Sequence, residues 1–309
     1  MPLGENMREF DLVIIGAGTS GLNARKQIEK ETDNYLVVDP GKLGTTCARV
    51  GCMPSKVFIQ VAEDFHRKIH HKEYGIEGGE SLSVDSTQVM KHVRKLRDRF
   101  TGGVIQAMEK WQSTHFLAKK ATFVDNYTLD LEGEKIGFKK ALIATGSSPV
   151  IPDEWMSFRE KLITTDEFFE LSSLPDSIGV VGAGVIGLEL GQALHRLDRK
   201  THILGRSKVF AGLTDPELND YAHKIFSKEI PMHLGGVELE NHEKGVLAKT
   251  SDGEFIFDKI LVAAGRRANT KSLGLENTNL QVSENGVPIY DRQTMQTSLE
   301  HIFIAGDSN

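Results

Sequence analysis

The hydrophobic pattern of the chain changes its period several times. Two short, mostly apolar runs, residues 11–15 and 178–181, are typical of buried parallel strands. Each run leads through a glycine-rich turn into a stretch with helical periodicity, residues 22–30 and 188–197. The pattern therefore predicts the same strand, turn and helix at two places in the chain.

Two longer segments between these copies carry apolar residues at helical spacing. They predict two long amphipathic helices, with apolar positions Phe58, Val61, Ala62, Phe65 and Ile69, then Val89, Val93, Leu96, Phe100, Val104, Met108 and Trp111. Gly102 and Gly103 interrupt the second pattern, which weakens the prediction in the middle of that helix. Strand-like runs lie near 121–124, 127–131, 141–144, 255–257, 260–263 and 302–305, and the proline-containing segment 149–152 is the predicted linker between domains.

The two glycine-rich turns share one spacing. The first reads GAGTSG and the second GAGVIG, 166 residues later; their glycines are Gly16, Gly18 and Gly21, then Gly182, Gly184 and Gly187. A single GxGxxG motif is weak evidence for dinucleotide binding. Here, however, each copy follows an apolar run and opens a helix, as a dinucleotide-binding motif requires. The first glycine permits the turn, the second lets the backbone approach a pyrophosphate, and the third allows the helix to pack on the strand. Exposed amides and the helix dipole then hold the phosphates.

The residues that follow the second strand of each copy differ. Asp39 ends an apolar run 23 residues after Gly16, where an acid can hydrogen-bond a ribose 2′-hydroxyl. The same count from Gly182 reaches Gly205, followed by Arg206, Ser207 and Lys208. This basic cluster favours a 2′-phosphate, and hence NADP(H) over NAD(H), although a solvated basic turn is the alternative. Two dinucleotide sites suggest a flavin with a nicotinamide, with FAD in the first site.

Composition and charge narrow the classes of partner. A length of 309 residues suggests two domains, and 39% hydrophobic with 26% charged residues is ordinary for a globular protein. A net charge of -6 gives no reason to expect binding to nucleic acid or to an anionic membrane. No apolar run approaches the roughly 18 residues that span a bilayer, and charged residues already occur within the first ten. We therefore predict a cytoplasmic protein without a signal peptide.

The two cysteines of the chain, Cys47 and Cys52, lie in the segment GTTCARVGCMPSK at 44–56. Cysteines this close cannot staple a large fold, so any pairing between them is more chemical than architectural. The segment precedes a predicted helix, whose N-terminus stabilises a thiolate, and Arg49 and Lys56 add positive charge. Incidental cysteines are the alternative, and zinc lacks further ligands. Close to a flavin site, the redox-active interpretation is favoured.

Three histidines, His66, His70 and His71, include a pair at helical spacing that in principle binds a metal. Their neighbours are charged and no further ligand is obvious. We interpret them as part of a solvated helix face and predict no metal site.

The cysteine segment is specific to a family. Residues 44–56 resemble the active-site signature of the flavin disulfide reductases, the group that contains dihydrolipoamide dehydrogenase, glutathione reductase and mercuric reductase. The motifs ATG at 144–146, AAGRRANT at 263–270 and IFIAGD at 302–307 join the two glycine motifs and extend the resemblance over nearly the whole chain.

The resemblance implies roles for individual residues. Cys47 resembles the interchange thiol that meets the substrate, and Cys52 resembles the charge-transfer thiol beside the flavin ring. Lys56 and Glu189 match the family's ion pair near the flavin N5, and Asp307 matches the acid that binds the ribityl chain. The matching motifs also place Gly44, Thr46, Gly146 and Gly265 among the cofactor-binding residues.

Several features depart from the family pattern. The Pro-Ser-Lys ending is similar to dihydrolipoamide dehydrogenases and mercuric reductases, but the family usually has Asn at Arg49 and Pro at Ala268. Dihydrolipoamide dehydrogenases carry Glu where Gly205 stands, so their preference for NAD does not transfer. Nothing here matches the family's interface domain, which builds the homodimer and carries a His-Glu acid-base dyad. Exchange without that dyad is slower, by roughly 10²-fold to 10⁴-fold.

These observations give one predicted architecture and three predicted functions. The fold is α/β, with two Rossmann-like dinucleotide-binding domains of mostly parallel sheets and additional antiparallel strands. The FAD domain with the redox disulfide is predicted at 1–150, the NAD(P) domain at 151–268 and a return segment to the FAD domain at 269–309. The function is a dihydrolipoamide dehydrogenase-like oxidoreductase, acting on a small dithiol or disulfide or on a lipoyl-bearing protein. The alternatives are an NADPH-dependent disulfide or mercuric reductase and a non-enzymatic FAD-binding redox sensor.

Overall fold

The computed structural model describes residues 7–206 and 209–309. In it the chain divides into two compact units, each built from separate stretches of sequence. Unit 1 comprises the chain up to Cys47, Phe100–Ser148 and Arg266–Asn309, and unit 2 comprises Ala48–Arg99 and Pro149–Gly265. Residues 48–99 therefore belong to the unit that carries the second glycine motif, whereas the sequence pattern predicts them within the first domain, 1–150. Which nucleotide each unit binds stays a prediction.

The strands are mostly short. In chain order they are β1 (Arg8–Ile15), β2 (Tyr35–Val38), β3 (Phe116–Leu117), β4 (Thr122–Phe123), β5 (Thr128–Leu131), β6 (Glu134–Ile143), β7 (Ser147–Pro149), β8 (Leu162–Ile163), β9 (Ser177–Val181), β10 (Lys200–Gly205), β11 (Met232–Leu234), β12 (Glu238–His242), β13 (Gly245–Thr250), β14 (Gly253–Phe257), β15 (Lys259–Val262), β16 (Arg266–Ala268) and β17 (Ile302–Ile304). The strand-like runs of the sequence all fall on or beside these strands.

The helices include both long amphipathic helices that the sequence predicts. They are α1 (Thr19–Ile28), α2 (Thr46–Val50), α3 (Cys52–His66), α4 (Ser86–His115), α5 (Thr165–Phe168), α6 (Val185–Arg196) and α7 (Pro216–Phe226), with 3₁₀ turns at Arg67–His70, Gly79–Ser81, Asp153–Lys161 and Leu275–Asn277. No helix within the described ranges combines the length and apolar character of a membrane span.

Unit 1 is organised by a sheet whose strand order reverses beside β1. The order is β3-β2-β1-β6-β5-β4, with β17 also paired to β6. Strands β1, β2, β3 and β17 pair in parallel, and β4 and β5 add an antiparallel edge. Ile15 at the end of β1 is level with Val38 and Ile143, so the carboxyl ends of three strands meet at one edge. Ligands of open α/β sheets bind at such an edge.

Unit 2 repeats this arrangement. Its five-stranded sheet has the order β11-β10-β9-β15-β8 and every pairing is parallel. Val181 at the end of β9 is level with Leu204 and Val262. A separate antiparallel sheet, β12-β13-β14, packs through Leu239, Val246 and neighbours into one apolar cluster with the parallel sheet. The predicted fold class, α/β with mostly parallel sheets and additional antiparallel strands, is confirmed.

Helix α4 continues through the two glycines that interrupt its pattern. Gly102 and Gly103 are exposed, while Met90 and Val93 before them and Met108 after them are almost fully buried. Glycine weakens a helix by about 1 kcal/mol per position, whereas burial of one large apolar side chain stabilises by about 1.5–3 kcal/mol. Packing on both sides of the glycines therefore outweighs their poor helix propensity.

Unit 2 also contains a hydrogen-bonded chain of polar side chains beside aromatic rings. Asp252 lies 2.8 Å from Nδ1 of His233, and Nε2 of His233 lies 3.1 Å from Nδ1 of His202. The ring of Phe255 contacts both histidines. Burial, and then the charges of His233 and Lys200, lower the pKa of His202 to about 4. In the folded chain His202 therefore stays neutral below pH 6.5, where a histidine of the unfolded chain becomes protonated.

This histidine predicts a loss of stability in mild acid. Because the unfolded state binds more protons between pH 6.5 and 4, the free energy of unfolding falls as the pH drops through that window. The loss is ~1–2 kcal/mol once solvent screening of this half-buried group is included. Urea denaturation of His202→Gln from pH 7 to 4.5 should show a flatter dependence, whereas His92→Gln, exposed on α4, should keep the original slope. Equal slopes for all three proteins would contradict this account.

Candidate functional site

The first glycine turn follows β1 directly. Gly16 has φ +117°, and a Cβ there would lie 2.2 Å from the carbonyl oxygen of Ala144. A Cβ on Gly21 would lie 1.9 Å from the carbonyl oxygen of Gly16, so α1 packs directly on the turn. A Cβ on Gly18 would meet nothing within 4 Å. The turn is therefore closed by its first and third glycines and open beside its second, which is the side from which the motif is predicted to accept a dinucleotide phosphate.

The second turn repeats this geometry closely. Gly182 has φ +121°, and a Cβ there would lie 2.3 Å from the carbonyl oxygen of Ala263. A Cβ on Gly187 would lie 2.0 Å from the carbonyl oxygen of Gly182, and one on Gly184 would again meet nothing within 4 Å. The internal repeat in the sequence is thus also a repeat in three dimensions.

Asp39 lies beside the first turn, as its spacing predicts. Its Oδ2 accepts a hydrogen bond of 2.7 Å from the backbone N–H of Ala17, and its Oδ1 accepts one of 2.7 Å from Gly41. The amide of Ala17 thus orients the carboxylate at the edge of the sheet. Each carboxylate oxygen accepts more than one hydrogen bond, so the geometry leaves capacity for ribose hydroxyls.

Two buried hydroxyls of unit 1 support the fit of a polar cofactor. Among side chains in the described residues, Oγ1 of Thr101 and Oγ1 of Thr145 are buried and have no hydrogen-bond partner. Buried polar groups are normally satisfied, so each orphaned hydroxyl calls for a ligand or water partner. Thr101 packs against Gly44, since a Cβ on that glycine would lie 2.3 Å from Cγ2 of Thr101. The sequence did not single out either threonine, although Thr145 stands inside the ATG motif.

Two further predicted residues of unit 1 follow strands that end at the same edge of the sheet. Gly146, with φ +67°, follows β6, and the exposed Asp307 follows β17. Gly306 approaches α1 so closely that a Cβ on it would lie 2.2 Å from Oγ of Ser20. Thr46 is the exposed first residue of α2. The return segment thus reaches the first glycine turn through Gly306, a contact that the sequence did not predict.

The structure describes only some of the residues of unit 2 that the sequence predicts to set nucleotide specificity. Gly205 ends β10 and is buried, and Arg206 next to it is exposed. Ser207 and Lys208, the rest of the predicted basic cluster, lie outside the described residues. Gly265, with φ +125° and open space where a Cβ would point, stands between β15 and β16.

The cysteine segment spans two helices. Cys47 is half-buried in α2, and Cys52 is the exposed first residue of the fifteen-residue helix α3. A thiolate at this position faces the positive end of the helix dipole. Between the cysteines in sequence, Nε of Arg49 is buried and lacks a hydrogen-bond partner.

One turn into α3, Lys56 reaches the helix that the second glycine turn opens. Its Nζ donates a hydrogen bond of 2.8 Å to Oε1 of Glu189 on α6. The structure therefore brings together two residues that lie 133 positions apart and that the resemblance paired. The Lys56 side chain is 63% exposed and that of Glu189 37%, so this pair by itself adds little stability.

Comparisons with known proteins agree with this geometry. A sequence model of the family described as pyridine nucleotide-disulphide oxidoreductase matches residues 10–309. Dihydrolipoyl dehydrogenase of Staphylococcus aureus is 31% identical over 319 residues, which cover 99% of this chain and 67% of that protein. Mercuric reductase of Lysinibacillus sphaericus is 30% identical over 314 residues, covering 98% of this chain and 56% of that protein.

Solved structures show the same fold. The Cu(II) complex of the HOCl-induced flavoprotein disulfide reductase RclA from Escherichia coli superposes with a TM-score of 0.83 at 22% identity, covering 98% of this chain and 66% of that one. The chain thus spans about two thirds of the length of these relatives, or less.

Proposed function

The chain belongs to the pyridine nucleotide-disulphide oxidoreductase family, and from that premise we propose that it is a dihydrolipoamide dehydrogenase-like flavoprotein. It would carry electrons between NAD(P)H and a small dithiol or disulfide, or a lipoyl group on a protein. In the reducing direction, NAD(P)H supplies a hydride, water supplies one proton, and the disulfide bond of the substrate is replaced by two thiols. NAD(P)⁺ is the other product, so atoms and electrons balance.

One observation carries the proposal. The helix that begins at Cys52 places Lys56 one turn later, and Lys56 contacts Glu189 on the helix opened by the second glycine turn. Within unit 2, the helix that begins at Cys52 is therefore joined by a direct ion pair to the helix that the second glycine turn opens, and this contact supports the proposal. A chance cysteine pair has no reason to stand at this contact.

The residues of unit 1 fit FAD as the first nucleotide. Gly18 would admit the pyrophosphate, Asp39 would accept from ribose hydroxyls, and Thr101 and Thr145 would donate to polar atoms of the cofactor. When bound, FAD supplies two-electron transfer between nicotinamide and dithiol. Asp307, at the end of the return segment, would hold the ribityl chain.

The cysteines would carry the exchange with substrate. In the reduced pair, the Cys47 thiolate attacks one sulfur of the substrate disulfide, a mixed disulfide forms and one substrate thiolate leaves. Cys52 then attacks the Cys47 sulfur, which closes the internal disulfide and releases the second substrate thiolate. Protons from solvent complete the two product thiols. The position of Cys52 at the N-terminus of α3 favours the thiolate that this step needs.

A half-reaction within the chain tests the proposal. The protein is loaded with FAD, freed of excess cofactor, oxidised and treated without oxygen with one equivalent of NADPH, and its thiols are then alkylated and located by mass spectrometry. We expect retained FAD and two new thiols, at Cys47 and Cys52. Lipoamide should reoxidise the pair fastest; faster reoxidation by Hg(II) or glutathione disulfide would favour a reductase for those substrates. Failure to retain FAD, or NADPH oxidation without new thiols, would overturn the proposal.

A second candidate within the same class is an NADPH-dependent disulfide or mercuric reductase. Gly205 and Arg206 favour it, because no acid follows β10 to bind the ribose and a guanidinium follows directly. The similarity of this chain to mercuric reductases also supports this candidate.

Arg206 gives a direct prediction for nucleotide choice. Arg206→Ala should raise the Kd for NADPH about tenfold and leave that for NADH nearly unchanged, because only NADPH carries the 2′-phosphate. Lys200→Ala removes the same charge at the opposite end of β10 and should change neither value. Fluorescence titration with both nucleotides makes the comparison. Equal weakening of both nucleotides, or tighter binding of NADH in the unsubstituted protein, would contradict the assignment.

A further inference from the structure

Helices α3 and α6 are joined by two ion pairs at one spacing. Lys56 of α3 contacts Glu189 of α6, and Glu63 of α3 contacts Arg196 of α6. In both pairs the partners are 133 positions apart, so the second pair lies seven residues further along both helices. Seven residues are two helical turns, about 10 Å. The helices therefore run in the same direction, side by side, with matched register.

The two pairs have opposite polarity. Helix α3 provides the cation in the first pair and the anion in the second. If α3 slid by two turns in either direction, Lys56 would face Arg196 or Glu63 would face Glu189. Like charges at such positions repel, as they do between paired helices in coiled coils. The order of charges thus selects one register.

Apolar packing lies beside these ion pairs and discriminates less sharply between registers than charge does. Phe58 and Ala62 of α3 are buried in the same cluster as Leu188 and Leu190 of α6. Apolar contacts are not directional, and a shifted pair of helices can still bury apolar side chains. The polar contacts at the edge of the helix pair therefore add to the selection of one register.

Arg196 is the stronger of the two anchors. Its side chain is only 16% exposed and contacts both Glu63 and Glu229, and Glu229 also accepts a hydrogen bond of 2.8 Å from Gln192. Nε and Nη2 of Arg196 contact the two oxygens of Glu229, which is the bidentate geometry that guanidinium favours. Burial alone would raise the pKa of Glu229, but the hydrogen bonds from Arg196 and Gln192 hold it below its usual value.

We infer that Arg196 is a positioning residue for the proposed disulfide chemistry: it fixes the register of α3 on α6 and so places Lys56 against Glu189, next to Cys52. It stands two turns from Glu189 and acts through the helices rather than on substrate. The role in the reaction rests on the proposed function, whereas the role in helix register does not.

The test compares two arginines that are buried to a similar extent. Arg196→Met removes the anchor and keeps much of its volume. Arg199→Met is the matched control, because Arg199 is 18% exposed and pairs with Asp176, away from α3. Hydrogen exchange of the amides at 56–60 reports on α3 without any cofactor. We expect about tenfold faster exchange in Arg196→Met and no change in Arg199→Met.

The second measurement is a double-mutant cycle with Lys56→Met. In the FAD-loaded protein, the rate at which NADPH produces thiols should fall about tenfold to hundredfold in Arg196→Met. If Arg196 acts through the Lys56–Glu189 contact, Arg196→Met should have little further effect once Lys56 is replaced. Arg196→Lys should recover part of the rate.

Each outcome has one meaning. Unchanged exchange at 56–60 in Arg196→Met would overturn the inference about register. Faster exchange with an unchanged rate, or with additive effects of the two substitutions, would overturn the positioning role. If the unsubstituted protein produced no thiols, the proposed function and the role of Arg196 in it would fail, and hydrogen exchange alone would decide whether Arg196 sets the register.

Discussion

Cys52→Ser is expected to abolish the gain of thiols when the FAD-loaded protein is treated with NADPH, while FAD stays bound. A serine hydroxyl cannot form a disulfide with Cys47. The internal disulfide that NADPH would reduce is therefore absent, and the gain of thiols should be lost completely. Cys52 is the first residue of α3 and is exposed, so the substitution removes a sulfur without leaving a cavity. Alkylation followed by mass spectrometry measures the thiols, and thermal unfolding in the presence of FAD checks the fold.

Met53→Leu is the matched control for this prediction. It removes the neighbouring sulfur from the same turn of α3, where Met53 is also exposed, and keeps the helix and the side-chain volume. We expect it to gain two thiols as the unsubstituted protein does. Undiminished reduction of a disulfide substrate by Cys52→Ser would show that the cysteines do not carry the reaction.

The sequence predicted the strands that are buried on both faces better than those at the edges. Strands β2 and β9 read as continuous apolar runs because helices or loops cover both sides of a parallel sheet. The two-residue strands β3 and β8 have too few residues to show any period. Their pairing depends on neighbours that are distant in sequence, which no local pattern records.

In the candidate site, too, features set by local sequence were predictable and contacts between distant segments were not. Asp39 was predictable because its distance from the glycine motif is set by one strand, one helix and the next strand. The orphaned hydroxyls of Thr101 and Thr145 were not, because each reaches its position through a separate element. The Lys56–Glu189 pair was expected only from the family resemblance, and the Glu63–Arg196 pair was not expected at all. Contacts between side chains on different helices cannot be recognised from the spacing of residues within one segment of the sequence.

Gly21→Ala should destabilise the protein and weaken FAD binding, although alanine is the better helix former. Gly21 lies in α1, where helix propensity alone would favour alanine by about 1 kcal/mol. The new Cβ, however, would lie 1.9 Å from the backbone oxygen of Gly16 and 3.2 Å from a side-chain carbon of Ile14. The first clash involves backbone, so α1 must move away from the turn, at a cost of about 3 kcal/mol or more. The cost of the clash exceeds the gain in helix propensity, so the substitution lowers the free energy of unfolding.

The net effect is a loss of about 2 kcal/mol, or roughly 4 °C in Tm. Gly18→Ala is the matched control, since its φ is -76° and a Cβ there would meet nothing within 4 Å. It should fold normally and weaken only FAD binding, because the second glycine faces the proposed pyrophosphate rather than the strand. Thermal unfolding without FAD, followed by titration with FAD, separates the two effects. If Gly18→Ala lost as much stability as Gly21→Ala, packing of α1 on the turn would not be the reason for the third glycine; if it bound FAD unchanged, the open side of the turn would not be the phosphate site.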